Sequence, residues 1–350
     1  MQALTEYAAV SMPVPEPRGE LSAALVEALH AHRRPTDLRG PAAGLADRYR
    51  DDPREILLDD DAQLVLTMLY ELHLAGLSDV DPEWEWNTEI LDVRRRLEGP
   101  FDAALRSQTE AAVATARSTF GSDVVSALWQ MTAPTAGPGL AEFMAKEADV
   151  ERFREFLVHR SLNQLREADL HTWGIPRLQG PPKAALVEIQ ADEYGGGRFD
   201  RMHSRLFART MRALDLSSRY AHYVDAVPAL TLAALNALSY FGIHRRLLGA
   251  LIGHLCAVET TSALPSRKFA EGLRRLGFGT EATLFFDEHV EADSVHEQIA
   301  VRDLAGGYVA GHPEQRDDVL FGAATCLTFD ELVGAQMSQA WAHGASSLRA

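Results

Sequence analysis

The sequence predicts an all-α protein, and three observations predict it. Apolar residues recur at helical spacing through most of the chain, runs of alternating β-branched residues do not occur, and Gly/Pro stop signals fall between the periodic stretches. Residues 1–18, which include Pro13, Pro15 and Pro17, read as a flexible lead-in. Helices are then expected over 19–33, 60–75, 87–116 and 122–131, the last stopped by the turn-rich stretch 132–139. Beyond it, helices are expected over 139–168 and 182–214, separated by Gly174-Ile175-Pro176 and Gly180-Pro181-Pro182. The remaining helices are expected over 229–261, 266–276, 280–305 and 313–343. The turns at 132–139 mark the expected boundary between an N-terminal helical region, 19–131, and a helical domain, 132–350, of ordinary domain size.

Bulk properties narrow the function classes. The chain has 350 residues, 46% of them hydrophobic, enough to bury a sizeable core. A net charge of −16 argues against nucleic-acid phosphates and anionic membranes as main partners. Cys256 and Cys326 sit far apart in apolar helical contexts and read as buried thiols in a reducing compartment; no Cys-x-x-Cys pair exists for a zinc ribbon, an iron–sulfur cluster or a haem anchor. The first residues lack the basic start and apolar run of a secretion signal. The most apolar stretch, 228–257, is interrupted by His244, Arg245, Arg246 and His254, as suits a buried core helix rather than a membrane span. A cytoplasmic protein with no membrane or nucleic-acid partner is expected. With no strand to precede a Gly-rich phosphate loop, nucleotide cofactors find no support.

The residues that carry chemistry lie in the second half. In Phe286-Asp-Glu-His-Val-Glu-Ala-Asp-Ser-Val-His296, the side chains of His289, Asp293 and His296 fall at i, i+4 and i+7. On a helix these occupy a sector of roughly 60°, so two imidazoles and a carboxylate stack along one face. That ligand set suits Fe(II), Mn(II) or Zn(II). Upstream, Asp200 and His203 form an i, i+3 carboxylate–His pair, with Glu193 two turns earlier. Gly195, Gly196 and Gly197 stand between them. Three glycines inside a helix cost roughly 2–3 kcal/mol against alanine, so the helix either breaks there or gains pliability beside the site. Glu167, late in the expected 139–168 helix among apolar neighbours, needs a partner if buried, and a metal would be one.

This pattern resembles the haem-oxygenase-like di-iron oxidases and oxygenases, the iron-containing redox enzyme family. Their hallmark is a Glu on one core helix, Glu-x-x-His on the next and His-x-x-x-Asp-x-x-His on a third; N-oxygenating members add a Glu upstream of Glu-x-x-His. Glu167 matches the first position, Asp200 and His203 the second pair, Glu193 the additional carboxylate, and His289, Asp293 and His296 the third set. Asp200 departs from the family's usual Glu by one methylene. The resemblance runs over 139–343 and implies a haem-oxygenase-like helical bundle with an N-terminal helical extension. It also implies two Fe, ferrous in the reduced form, with O2 as co-substrate, an external electron donor and a small-molecule substrate; it allows a homodimer. Reduced di-iron would bind O2 and pass through a peroxide-bridged di-ferric species. Glu193 favours N-oxygenation of a small amine or amino-acid-derived substrate over desaturation or C–C cleavage of an amino or fatty acid. No catalytic residue beyond the metal ligands is expected, and Tyr194, His171, Trp173 and Arg198 read first as packing residues.

Three rival readings stay open. His289, Asp293 and His296 alone could form a mononuclear two-His–one-carboxylate iron site. Asp200/His203 and Asp293/His296 could mimic the two pairs of a ferritin-like bundle, leaving His289 spare. The chain could also bind metal without catalysis. Elsewhere, Glu71 and His73 at i, i+2 point to different helix sides. Trp84 and Trp86 read as packing residues, and Glu259 as a buried carboxylate bonded to a neighbouring hydroxyl, with at most a supporting place behind the metal ligands.

Overall fold

The computed structural model describes residues 11–30, 38–134 and 139–349, excluding the side chains at 39, 43, 45, 46 and 291–294. Its helices are α1 (Glu20–His30), α2 (Arg39–Arg48), α3 (Asp60–Glu71), α4 (Thr88–Phe120), α5 (Val124–Met131), α6 (Leu140–Lys146), α7 (Val150–Gln164) and α8 (Asp169–Thr172). They continue with α9 (Gly180–Glu193), α10 (His203–Ala213), α11 (Ala229–Ile243), α12 (Leu248–Thr261), α13 (Ala263–Arg275), α14 (Thr280–Gln298), α15 (Gly307–Gly311) and α16 (Arg316–Ala342). Among the described residues there is no strand, only a single β-bridge between Met12 and Leu77, so the fold is all-α.

Four expected helices are interrupted, each for a local reason. The 139–168 helix divides where Asp149 takes an extended conformation and accepts the amide proton of Arg152, capping α7. The 182–214 helix breaks at the three glycines, all at positive φ. His244 is extended (φ −89°, ψ 110°) and parts α11 from α12. α14 passes into a π-helical turn over Ile299–Gly306 rather than continuing as regular helix. The helix α2 has no counterpart in the sequence reading, and residues 31–33 of the expected first helix lie outside the described residues.

The chain divides into two compact units, and half of the expected 132–139 boundary lies outside the described residues. The first comprises 1–107, 219–240 and 349–350; the second comprises 108–218 and 241–348. In the first, Asp61 caps α1 by accepting from the amides of Leu21 and Ser22 at 3.0 and 2.8 Å. Asn236 ties α11 to α3, donating to the Gln63 carbonyl and side chain while accepting from Thr67. The expected lead-in is anchored over 11–18: Met12 is buried and exchanges backbone hydrogen bonds with Gly76 and Ser78, and Arg18 pairs with Asp60 at 3.0 Å.

The second unit holds every expected site residue. Its frame is the pairing of α12 with α16. A Cβ on Gly253 would fall 1.8 Å from the Val319 carbonyl oxygen, and one on Gly322 would fall 1.9 Å from that of Ala250. Only glycine lets the two backbones approach this closely. Against this frame, α14 is fixed at its start: Thr210 of α10 donates to the Ala282 carbonyl at 3.0 Å, and Arg209 grips Glu281 through two hydrogen bonds. Arg274 of α13 reaches Asp287 at 2.6 Å. Among the described residues no single helix is long and apolar enough to cross a membrane.

Candidate metal centre

Four chain segments bring ligand-type side chains into the second unit's interior. The first lies just past α7, which ends at Gln164, so Glu167 sits in the turn before α8 rather than late in a long helix. The next residue, Ala168, is left-handed (φ 76°), an uncommon state for a residue with a side chain. The second segment is the end of α9 and the start of α10. Gly195, Gly196 and Gly197 at φ +65°, +60° and +77° fold the chain back on itself. A Cβ on Gly195 would lie 2.6 Å from the carbonyl carbon of Arg201 and 2.7 Å from the amide nitrogen of Met202. The tight loop places Glu193, the last residue of α9, against His203, the first of α10, with Oε2 and Nδ1 2.9 Å apart.

The third segment is α14. His289 Nδ1 lies 2.7 Å from the Phe285 carbonyl oxygen, to which it donates; this assigns the ring proton to Nδ1 and leaves the Nε2 lone pair pointing inward, 3.6 Å from Glu167 Oε1. His296, two turns later, is 2% exposed and directs Nε2 to Asp192 Oδ2 at 3.0 Å and Nδ1 towards Glu259 Oε2 at 3.4 Å. The fourth segment is α12, which supplies Glu259, itself 4% exposed.

Two groups of ligand atoms result. Glu167, His203 and His289 form one; Glu193, Glu259 and His296 form the other; within each, the three atoms lie within 4.8 Å of one another. Glu193 belongs to the second group and approaches His203 of the first, so it stands between them. Phe285 packs against both His203 and His289, and Phe207 and Phe286 pack on Phe285, giving the site an apolar wall.

The electrostatics are those of a site that expects positive charge. Burial pushes His296 down, yet the Glu259 and Asp192 carboxylates and nearby Glu193 outweigh it and raise its pKa to about 9. Burial also opposes the charged form of His203, and the adjacent Glu193 overcomes it and raises that imidazole too. Burial alone would raise Glu193, but the surrounding imidazoles hold it below the usual carboxylate value. Among the described residues, Glu167 Oε2 is buried and makes no hydrogen bond, while the buried Glu193 Oε2, His203 Nδ1 and His296 Nδ1 have only one another and Glu259 as neighbours, at 2.9 and 3.4 Å. Such atoms each cost about 1–3 kcal/mol unless something satisfies them. Divalent cations would, and mixed imidazole–carboxylate donors suit iron.

The structure thus brings Glu167, Glu193, His203, His289 and His296 together. It does not bring Asp200 to them: that residue is exposed in a 3-10 turn (Phe199–Arg201), and the extended Met202 destroys the helical i, i+3 relation to His203. The side chain of Asp293 lies outside the described residues. The hydroxyls beside Glu259 do not hold it as expected, since Thr260 and Thr261 donate to the carbonyls of Cys256 and Ala257; Glu259 faces His296, at the site where a supporting place was its other expected role. The signal for it was a lone charge in the otherwise uncharged run of α12. Of the other residues near the ligands in sequence, Tyr194 donates to Asp169 at 2.7 Å and meets Thr172, which ties α8 to α9. His171 is buried against His254, with facing nitrogens 3.2 Å apart, and Arg198 is exposed. Cys256 is buried and donates to the Ala300 carbonyl, while Cys326 is free and partly exposed.

The profile of the iron-containing redox enzyme family matches residues 154–331, half of the chain. The chain belongs to the iron-containing redox enzyme family. By family it is therefore an iron-containing oxidoreductase of haem-oxygenase-like, all-α fold. It is also 29% identical over 166 residues to a nitrosourea synthase of Streptomyces achromogenes subsp. streptozoticus, an alignment covering 47% of this chain and 35% of that protein. The chain spans about a third of the length of that relative.

Proposed function

We propose that the chain is a non-haem di-iron enzyme that activates O2 and oxygenates nitrogen in a small amine or amino-acid-derived substrate. The observation that carries this reading is the pair of adjacent ligand groups, each mixing carboxylate and imidazole, with Glu193 standing between them. Glu167, His203 and His289 would hold one iron; Glu193 and His296 would contribute to the other, with Asp293 as a further ligand on the strength of the family motif. Two irons there would supply the electrons and open coordination positions that O2 reduction needs.

The chain's own residues prepare that chemistry. The Phe285 carbonyl holds His289 in the tautomer whose Nε2 faces Glu167. Asp192 does the same for His296, taking Nε2–H so that Nδ1 points inward. Phe207, Phe285 and Phe286 keep water from the side formed by His203 and His289. Nitrogen as the atom oxidised is supported by Glu193, the carboxylate that marks the N-oxygenating members, and by similarity to a nitrosourea synthase, whose named product is oxidised at nitrogen.

The test is iron bound per chain after anaerobic Fe(II) loading, followed by O2 consumption with and without a panel of small amines. Two irons and uptake accelerated by an amine are expected. One iron or none, or uptake indifferent to every amine while an acid substrate accelerates it, would overturn the reading.

A further inference from the structure

We infer that Glu259 of α12 is itself a metal ligand, completing the second position with Glu193 and His296. This rests on the two-metal reading above and deepens it, because the family motif on this chain assigns no ligand to α12. Of the further carboxylates the motif draws for the second position, the Asp293 side chain lies outside the described residues and Asp200 is exposed and outside both groups. Glu259 occupies the interior in its place. It is 4% exposed, its Oε2 is 3.4 Å from His296 Nδ1, and its ligand atom lies within 4.8 Å of those of Glu193 and His296.

Two features separate a ligand from a mere neighbour. The first is that His296 already has an orienting partner, since Asp192 holds Nε2 at 3.0 Å. A second carboxylate on the Nδ1 side is not needed to set the ring, and Glu259 Oε2 stands 3.4 Å from the buried Nδ1, longer than a charge-assisted hydrogen bond and with room for an ion between. Glu193 Oε2 is buried as well, 2.9 Å from His203 Nδ1 of the other group. Two buried carboxylates and an imidazole nitrogen converging within 4.8 Å of one another is an arrangement that a cation satisfies. The second feature is the rigidity of the helix that carries Glu259. The glycine-mediated contact of α12 with α16 fixes its backbone, so the carboxylate is delivered from a scaffold rather than from a loop. Asp200, by contrast, sits on a turn that follows three left-handed glycines.

Co(II) titration followed by its visible bands tests the assignment without any turnover. Wild type is expected to bind two Co(II), and E259Q, which keeps the shape of the side chain, should bind one as tightly as wild type and the second more than a hundredfold weaker. An orienting carboxylate is worth about 10–100-fold in metal affinity, so a smaller loss, or two unchanged sites, would overturn the proposal. E259D keeps the charge on a shorter arm. It should retain wild-type helicity and shift the bands of one Co(II) only, which guards against an E259Q that fails to fold; unshifted bands in E259D would also overturn the assignment. A wild-type chain that binds fewer than two Co(II) would instead refute the two-metal reading and take this proposal with it.

Discussion

Replacing Gly195 by alanine should damage the metal centre, while the same change at Gly196 should not. Both residues are left-handed, at φ +65° and +60°. A side chain there costs about 1–2 kcal/mol, partly offset by about 0.4–1 kcal/mol from the stiffer unfolded chain. Each substitution therefore carries a net backbone penalty of about 1 kcal/mol. The surroundings then divide them. Nothing lies within 4 Å of a Cβ at Gly196, whereas a Cβ at Gly195 falls 2.6 Å from the backbone of Arg201 and 2.7 Å from that of Met202. Ordinary carbon contacts begin near 3.5 Å, so the Arg201–Met202 peptide must move by about 1 Å. That peptide leads directly into His203, whose Nδ1 sits 2.9 Å from Glu193. A constellation of this kind tolerates only about 0.5 Å of displacement before function suffers. Metal titration with parallel thermal melts should show G195A binding at least ~10-fold more weakly than wild type, and G196A within about twofold despite a similar backbone penalty. Equal metal affinity in the two variants would refute the argument that the glycine loop positions His203.

Three other outcomes are expected. H289A or H296A should lose O2 consumption with far-UV circular dichroism nearly unchanged, and loss of helicity on either substitution would recast that residue as core packing. D192N should weaken metal binding about 10-fold by releasing His296 Nε2, with no change in the number of metals bound; unchanged affinity would exclude a positioning role for Asp192. The metal-free chain should lose stability as pH rises. Stability contributed by the raised His203 and His296 is whole below about pH 6.5, the unfolded value, and is lost as pH climbs through the folded value of about 9 for His296. Thermal melts between pH 6.5 and 9 should therefore fall, and metal loading in weak buffer should release protons; a melting temperature that climbs over this window would contradict the assignment.

Much of this protein is legible in its sequence because the relevant information is local. Helical periodicity and Gly/Pro punctuation depend on neighbours a few residues away, and they yield an all-α chain. The same locality makes His289 and His296 readable: seven residues apart on one continuous helix, α14, they must share a face. Glu167 is legible for another reason, since a carboxylate among apolar residues demands a partner. Periodicity fails where a helix stops, because a break depends on single backbone states. The left-handed glycines turned an expected helix into two, and that break put Glu193 against His203 while leaving Asp200 in solvent. Glu259 lies beyond sequence reasoning of this kind. It and His296 are 37 positions apart on different helices, and no spacing rule joins them. What joins them is packing: α12 is seated against α16 by glycines that admit backbone contact, and α14 is anchored by Thr210 and Arg209. The sequence determines which side chains can hold a metal; the packing of α9, α10, α12 and α14 decides which of them meet.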